Sequence, residues 1–243
     1  MNILYGRYHR GRALRFKSSH LLRRAVGFPL QSLTRANRPI KSKTLMPLLL
    51  ALFMVCTGCA QDKRALKDET EFQKKINADY KDASKSPLKD KDRKKFKGLD
   101  FFKFDSAYIV KANFKRTPNE KTFKMKTTTN RKPIYVKYGE LTFNLNDENF
   151  KLNIYQNQEL KYKEGFGNYL FLPFLDETNG LESYGGGRYI DAQIPEGNTM
   201  MIDFNKAYNP YCAYNQKYSC PIVPRKNYLK TRVEAGVKAF NRH

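Results

Sequence analysis

Two hydrophobic periods divide the chain. Phe72, Ile76 and Tyr80 recur every four residues among Lys, Asp and Glu, which puts one narrow apolar stripe on a helix. The stripe predicts an amphipathic helix lying on the domain, with docking on a membrane as the alternative. Pro87 ends this part, and residues 90–96 predict a further helical turn before Gly98. From Ser106 onward the period is two. Tyr108, Val110, Ala112 and Phe114 alternate with mostly polar partners; so do Phe123, Met125 and Thr127, then Tyr135, Leu141, Phe143 and Leu145. After a turn at 146–149 come Leu152 and Ile154. Such alternation predicts antiparallel strands with one buried face. The run 169–175 reads as a more deeply buried strand interrupted by Pro173, and 189–192, 199–204 and 228–234 are later strand candidates. The expected fold is mainly β: an antiparallel sandwich or partly closed barrel with an N-terminal amphipathic helix, in one domain over 67–243.

A third pattern precedes both. LMPLLLALFMVCTGC, ending at Cys59, has Lys41 and Lys43 upstream, an apolar run, and the small residues Thr57 and Gly58 before the cysteine. Charged, apolar and cleavable parts in that order form a secretory signal. The run contains Pro47 and falls short of the roughly 20 residues that span a bilayer, so cleavage is favoured over an uncleaved membrane helix. Its end resembles the lipobox of bacterial lipoproteins, with Cys56 where Leu is usual. The resemblance implies acylation, with palmitate among the chains, at Cys59, which becomes the new N-terminus. Each buried methylene contributes about 0.8 kcal/mol, so two or three acyl chains anchor stably. Ala60 and Gln61 lack the aspartate that holds many such proteins at the inner membrane, so the resemblance implies a lipid anchor in the outer membrane of the cell envelope. The expected organisation is a basic leader over 1–44, a signal region over 45–58, a lipidated tether over 59–66 and the domain beyond. The leader also suits a mitochondrial transit peptide, or a translation start that lies nearer Lys41.

Charge narrows the partners. Of 46 Lys and Arg, 11 precede Leu45, which leaves 35 against 23 acidic groups beyond it. Basic groups spread along the chain without a nucleic-acid motif, so no nucleic acid is expected. An anionic envelope component, lipid or polysaccharide, is the expected partner, with plain solubility as the alternative use of the charge. Cys212 and Cys220 are the thiols left after Cys59, and in an oxidising envelope they are candidates for a disulfide contributing roughly 2 to 3 kcal/mol. His243, at the extreme end, is the one histidine after the signal, so zinc, Ser-His-Asp and Cys-His chemistry are not expected. No cofactor is implied, and no metal site is assigned.

The most distinctive residues follow Asp176: DETNGLESYGGGRYID and IDFNKAYNPYCAYNQKYSCPIVPRKN. With YGELTF at 138–143 and LFLPFLD at 170–176, they resemble the bacterial and archaeal family known as domain of unknown function 1684, over residues 72–239. The family name implies no activity. The family often shows an acidic residue after the late Ala-Gly pair; this chain has Val237.

Candidate chemistry rests on an acidic set, Asp176, Glu182, Asp191 and Asp203, with Arg188. Two carboxylates at suitable separation can serve as acid and base for hydrolysis of an envelope glycan. They can instead hold calcium, although Gly187 stands where a calcium loop needs its bidentate Glu, or fix loops by capping turns and pairing with Arg. The run Gly185–Gly187 lacks the dinucleotide fingerprint and reads as a tight bend. Tyr184, Gly186, Tyr189, Asn205, Tyr208, Asn209 and Tyr214 form a candidate ligand-binding patch, since Tyr rings with amide partners stack on and hydrogen-bond sugars. The sequence thus reads as a lipid-anchored binding or structural module of unknown activity, with a carboxylate-dependent hydrolase as the alternative.

Overall fold

Residues 69–240 are described by the computed structural model; the basic leader, the apolar signal region, Cys59 and its tether, and His243 lie outside them. Helix α1 (Glu71–Lys81) opens on a capping box. The Gln73 amide donates to Thr70 Oγ1 at 3.3 Å, and the Thr70 amide donates to Gln73 Oε1 at 2.8 Å, so two otherwise unpaired helix-start donors are satisfied. Ile76 and Tyr80, one helical turn apart, are buried. A short helix α2 (Asp90–Lys95) carries acidic residues at its start and basic ones at its end, which suits the helix dipole.

Seven strands follow: β1 (Ile109–Arg116), β2 (Phe123–Lys124), β3 (Ile134–Leu145), β4 (Glu148–Asn157), β5 (Tyr169–Phe174), β6 (Arg188–Gln193) and β7 (Thr199–Asp203). They make one antiparallel sheet rather than the two of a sandwich, in the order β6-β5-β4-β3-β1-β7, with β2 beside β3. The β3–β4 hairpin turns on Asn146 and Asp147, both with positive φ (52° and 62°), between the paired Leu145 and Glu148. A two-residue turn with two left-handed residues matches the strand twist, and Asn and Asp tolerate that region. The register of β3 against β4 shifts between Lys137 and Gly139, an irregularity that adds twist.

The sheet curls into a half-barrel. Its inner face is where the two ends of the strand order meet: Ile190 of β6 and Ile202 of β7 belong to one largely aliphatic cluster with Leu141, Leu152, Leu172 and Phe174. The alternate residues of the same strands, Tyr155, Tyr169, Phe171 and Tyr189, belong to a second cluster on the outer face, covered by α1 and by residues 204–240. Both faces of β5 are therefore buried throughout.

Two expected strands differ. β2 stops at Lys124, because the chain leaves β3 and pairs elsewhere: the Ile222 amide donates to Lys126 O at 2.8 Å, and Thr127 bridges Pro221. Residues 228–234 are not a strand. Their sheet-like bonds are taken up singly, by Leu175 O, by the Glu177 amide, and by the Asp176 carboxylate in place of a carbonyl.

Asn227 does what a strand residue would do between β4 and β5, where Tyr155 with Phe171 is the one registered pair. Pro173 has no amide to offer there. The Asn227 side chain donates to the carbonyls of Asn153 and Pro173, both at 2.7 Å, and accepts from the Asn153 amide at 3.0 Å. It is fully buried.

Candidate functional site

Arg188 and Asp191 are three apart on β6. In a strand an odd spacing sends side chains to opposite faces, and that separates the acidic set. Arg188 enters the inner face. Its Nη2 lies 3.0 Å from Asp176 Oδ1, and both side chains are at 0% exposure. The guanidinium also donates to the carbonyl of Val233 at 2.8 Å and to that of Ala235, and it lies over the rings of Phe174 and Phe102 at 5.3 and 5.6 Å. The second oxygen of Asp176 accepts from Thr178 Oγ1 at 2.7 Å and from the Val233 amide at 2.9 Å. Desolvation lowers the Arg188 pKa, against the opposing pull of Asp176. This pair ties the end of β5, the start of β6 and residues 233–235 together. Both side chains are removed from solvent, and apart from the Arg188 Nε, which is buried without a partner, their polar atoms are taken up by protein groups, so the pair has no face open to a substrate.

Asp191, on the outer face, accepts from the hydroxyls of Tyr169 at 2.7 Å and Tyr208 at 2.5 Å. Burial raises its pKa, against the lowering effect of the two phenols. Asp203, on the terminal strand β7, accepts from the Asn205 amide and its side-chain Nδ2, both at 3.1 Å, and pairs with Lys206 at 3.3 Å. Glu182 pairs with Arg232 at 2.5 Å, and that hydrogen bond holds its carboxyl below the usual range. Each carboxylate thus has its own partners. Hydrolysis by paired carboxylates needs two of them facing one accessible space, and the structure does not bring this set together in that way. Among the described residues no group of three His, Cys, Asp or Glu is placed to hold a metal ion.

The Tyr and Asn candidates do come together, but inside the fold. Tyr189, Tyr208 and Tyr214 are at 3% exposure or less. Tyr189 and Tyr208 exchange backbone hydrogen bonds at 2.9 and 3.0 Å, and the Tyr189 hydroxyl donates to Pro221 O. Asn209 donates to Tyr214 Oη at 3.2 Å and to Lys238 O at 2.8 Å; Asn205 joins Asp105 through both its amide atoms. These residues fold the segment after β7 onto the sheet. Their ring faces meet other rings, as in the edge-on contact of Tyr214 with Tyr80 at 5.0 Å. Tyr184 is half-buried, 3.9 Å from Cys212 Sγ, and burial pushes its phenol up to about 12. Its ring lies against exposed Gly186, where an added Cβ would sit 2.5 Å from a ring carbon. Gly187 has φ +85° with Phe174 O at 2.6 Å from a virtual Cβ, so the glycine run is the bend that delivers Arg188 to the inner face. Cys212 and Cys220 stand as neighbouring free thiols.

An accessible space lies elsewhere. A cavity of about 800 Å³ opens between residues 92–100 and 238–240, lined by Lys94, Lys95, Lys97 and Lys238 with Phe96 and Phe240, and by Asp92 and Asp100. The two walls run together through the Phe101–Val237 bridge and the Lys238 amide, which donates to Asp100 O at 2.8 Å. Phe96 and Phe240 back onto Tyr80 and Tyr214, with centroids 6.0 and 5.1 Å apart. Sequence reasoning missed this site. The lysine run around Phe96 was a visible signal, but its partner lies some 140 positions further on.

The fold and its buried pair define a small antiparallel half-barrel protein. The family described as protein of unknown function, DUF1684, matches residues 94–238, and the chain belongs to it. The solution NMR structure of an uncharacterized protein from Haloarcula marismortui is similar, at 31% identity and a TM-score of 0.55, over 68% of this chain and 89% of that one. No curated protein matches.

Proposed function

We propose that the protein is a lipid-anchored envelope module that binds anionic lipid headgroups at the cavity between residues 92–100 and 238–240. The observation that carries the reading is the lining: four lysines, none of them in an ion pair among the described residues, around two aromatic rings. Such a surface attracts a ligand with an anionic head and an apolar part. Two aspartates in the lining reduce the positive charge without cancelling it.

Position supports the same partner. Asn77 on α1 joins Glu69 at 2.6 Å to the Leu99 amide at 2.8 Å, and Leu99 lines the cavity. Glu69 lies ten positions after Cys59, a stretch that reaches at most about 35 Å when fully extended. A lipid on Cys59 would therefore keep the cavity close to the membrane that holds it, and effective concentration makes even a weak headgroup contact effective. Outer-membrane residence follows from Ala60 and Gln61 under the same reading. Among the described residues no helix is long and apolar enough to cross a membrane.

The test has two separable arms. Intact mass of the native protein should show residues 1–58 gone and acyl chains on Cys59; a leader still present with no acyl adduct overturns the anchor. Co-sedimentation of Cys59→Ser protein should favour phosphatidylglycerol vesicles over phosphatidylcholine, weaken with salt, and be lost on joint Lys94→Glu, Lys97→Glu and Lys238→Glu substitution. Equal binding to both vesicles, or binding instead to an anionic polysaccharide alone, overturns the headgroup assignment.

A further inference from the structure

Cys212 and Cys220 are held side by side by segments that are each fixed independently. Cys212 sits in a short turn closed by the Tyr214 and Asn215 amides, which donate to Tyr211 O at 3.1 and 3.0 Å. Cys220 is pinned to the chain after β2: its amide donates to Thr128 Oγ1 at 3.1 Å, and the Thr128 amide donates to Cys220 O at 2.9 Å. The Cys212 amide donates to Cys220 Sγ at 3.1 Å. The two thiols differ in access, since Cys220 is fully buried and Cys212 is half-exposed beside the Tyr184 hydroxyl.

We infer that Cys212 and Cys220 form a redox-active pair, in which Cys212 exchanges with external disulfides and Cys220 closes the intramolecular bond. Access orders the roles, because Cys212 is partly exposed and Cys220 buried, so an external disulfide reaches Cys212 first. The Cys212 thiolate attacks one sulfur of a small disulfide, forms a mixed disulfide and expels the other half as a thiolate. Cys220 then gives up its proton, attacks the Cys212 sulfur and expels the second half as a thiol. Two electrons pass from the protein pair to the external disulfide, and a thiol pair such as reduced glutathione reverses both steps.

The electrostatics agree with the geometry. The hydrogen bond from Cys220, joined by those of Tyr184 and Thr128, holds the Cys212 thiol down to about 7 against desolvation, whereas Cys220 is pushed up. A thiol with a pKa near ambient pH is the better attacking group. The pair is independent of the headgroup site and of any lipid on Cys59.

Reduced full-length protein is incubated with oxidised glutathione, quenched with maleimide and read by intact mass and peptide mapping. Wild type should lose two hydrogens at Cys212 and Cys220 and regain them in reduced glutathione. Cys220→Ser should stop at a glutathione adduct on Cys212, and Cys212→Ser should form an adduct on Cys220 at least about tenfold more slowly, as burial restricts access. Tyr184→Phe should slow the first adduct without blocking it. A wild type that keeps both thiols, a faster adduct on Cys220 than on Cys212, or an oxidised form that reduced glutathione cannot open would each overturn the inference. If either serine variant loses its thermal transition, the alanine variant replaces it.

Discussion

The two faces of this sheet are both dry, but they are dry in different ways. The inner face packs mostly aliphatic side chains from six strands, together with Phe143, Phe174 and Phe204, around a single ion pair, Asp176 with Arg188. The outer face holds eight buried tyrosines, from Tyr80 on α1 to Tyr214 after β7. Aliphatic packing is non-directional and tolerates repacking at constant volume. A buried phenol without a partner for its hydroxyl is costly, and three of these tyrosines aim at one place each: Tyr169 and Tyr208 at Asp191, Tyr189 at Pro221 O. The inner face therefore supplies cohesion. The outer face supplies address, holding residues 204–240, which contain no long strand or helix, in one path across the sheet.

The largest expected effect attacks the charged exception inside the cohesive face. Asp176→Ala leaves Arg188 buried without its carboxylate and should cost about 3–5 kcal/mol, read as a fall in the urea midpoint at unchanged slope. A variant as stable as wild type would mean that the pair contributes no more than the surrounding aliphatics. Next comes the seam between β4 and β5. Asn227→Ala strips donors from the carbonyls of Asn153 and Pro173 and an acceptor from the Asn153 amide, at about 2–3 kcal/mol. Hydrogen exchange should show the Asn153 amide opening first.

A smaller effect, with a sign of its own, tests the outer face. Burial raises the Asp191 pKa above the ordinary value of about 4, so between that value and the folded one the native state holds more protons than the unfolded chain. Stability from this group is full below the ordinary value and falls as pH rises through the folded one, by about 1.4 kcal/mol for each pH unit between them. Asp191→Asn should flatten that fall while keeping an acceptor for the two phenols, in urea midpoints measured across acid to neutral pH. Parallel curves for both proteins would remove the desolvation argument. The smallest effect is at the surface: Glu182→Ala breaks the pair with Arg232, and the melting midpoint should not measurably change, because exposed ion pairs contribute little.

How far the site was legible depends on the residue. Period-two alternation located the runs in β1, β3 and β4, and the continuous apolar run located β5, which is buried on both faces. The strand reading overshot at 228–234, where Leu229 and Val233 are buried but their backbone bonds go to Leu175, just past β5, and to the Asp176 side chain. The acidic set was visible as residue types. Its dispersal was partly visible too, since Arg188 and Asp191 sit at odd spacing in a strand. Asn227 gave no signal, because its work depends on Pro173 having no amide across a gap that exists only when β4 and β5 have assembled.

By itself the sequence determined the strand and helix periods, the family motif and the charge balance, since these depend on neighbours within a few residues. Only the tertiary structure decided which face of the sheet each polar group entered, that Asp176 and Arg188 would be sealed from water, and that lysines near position 95 would meet Lys238. The reason is that burial and encounter are properties of chain segments far apart in sequence. Local pattern sets which side of a strand a residue takes; the curl of the sheet sets what it finds there.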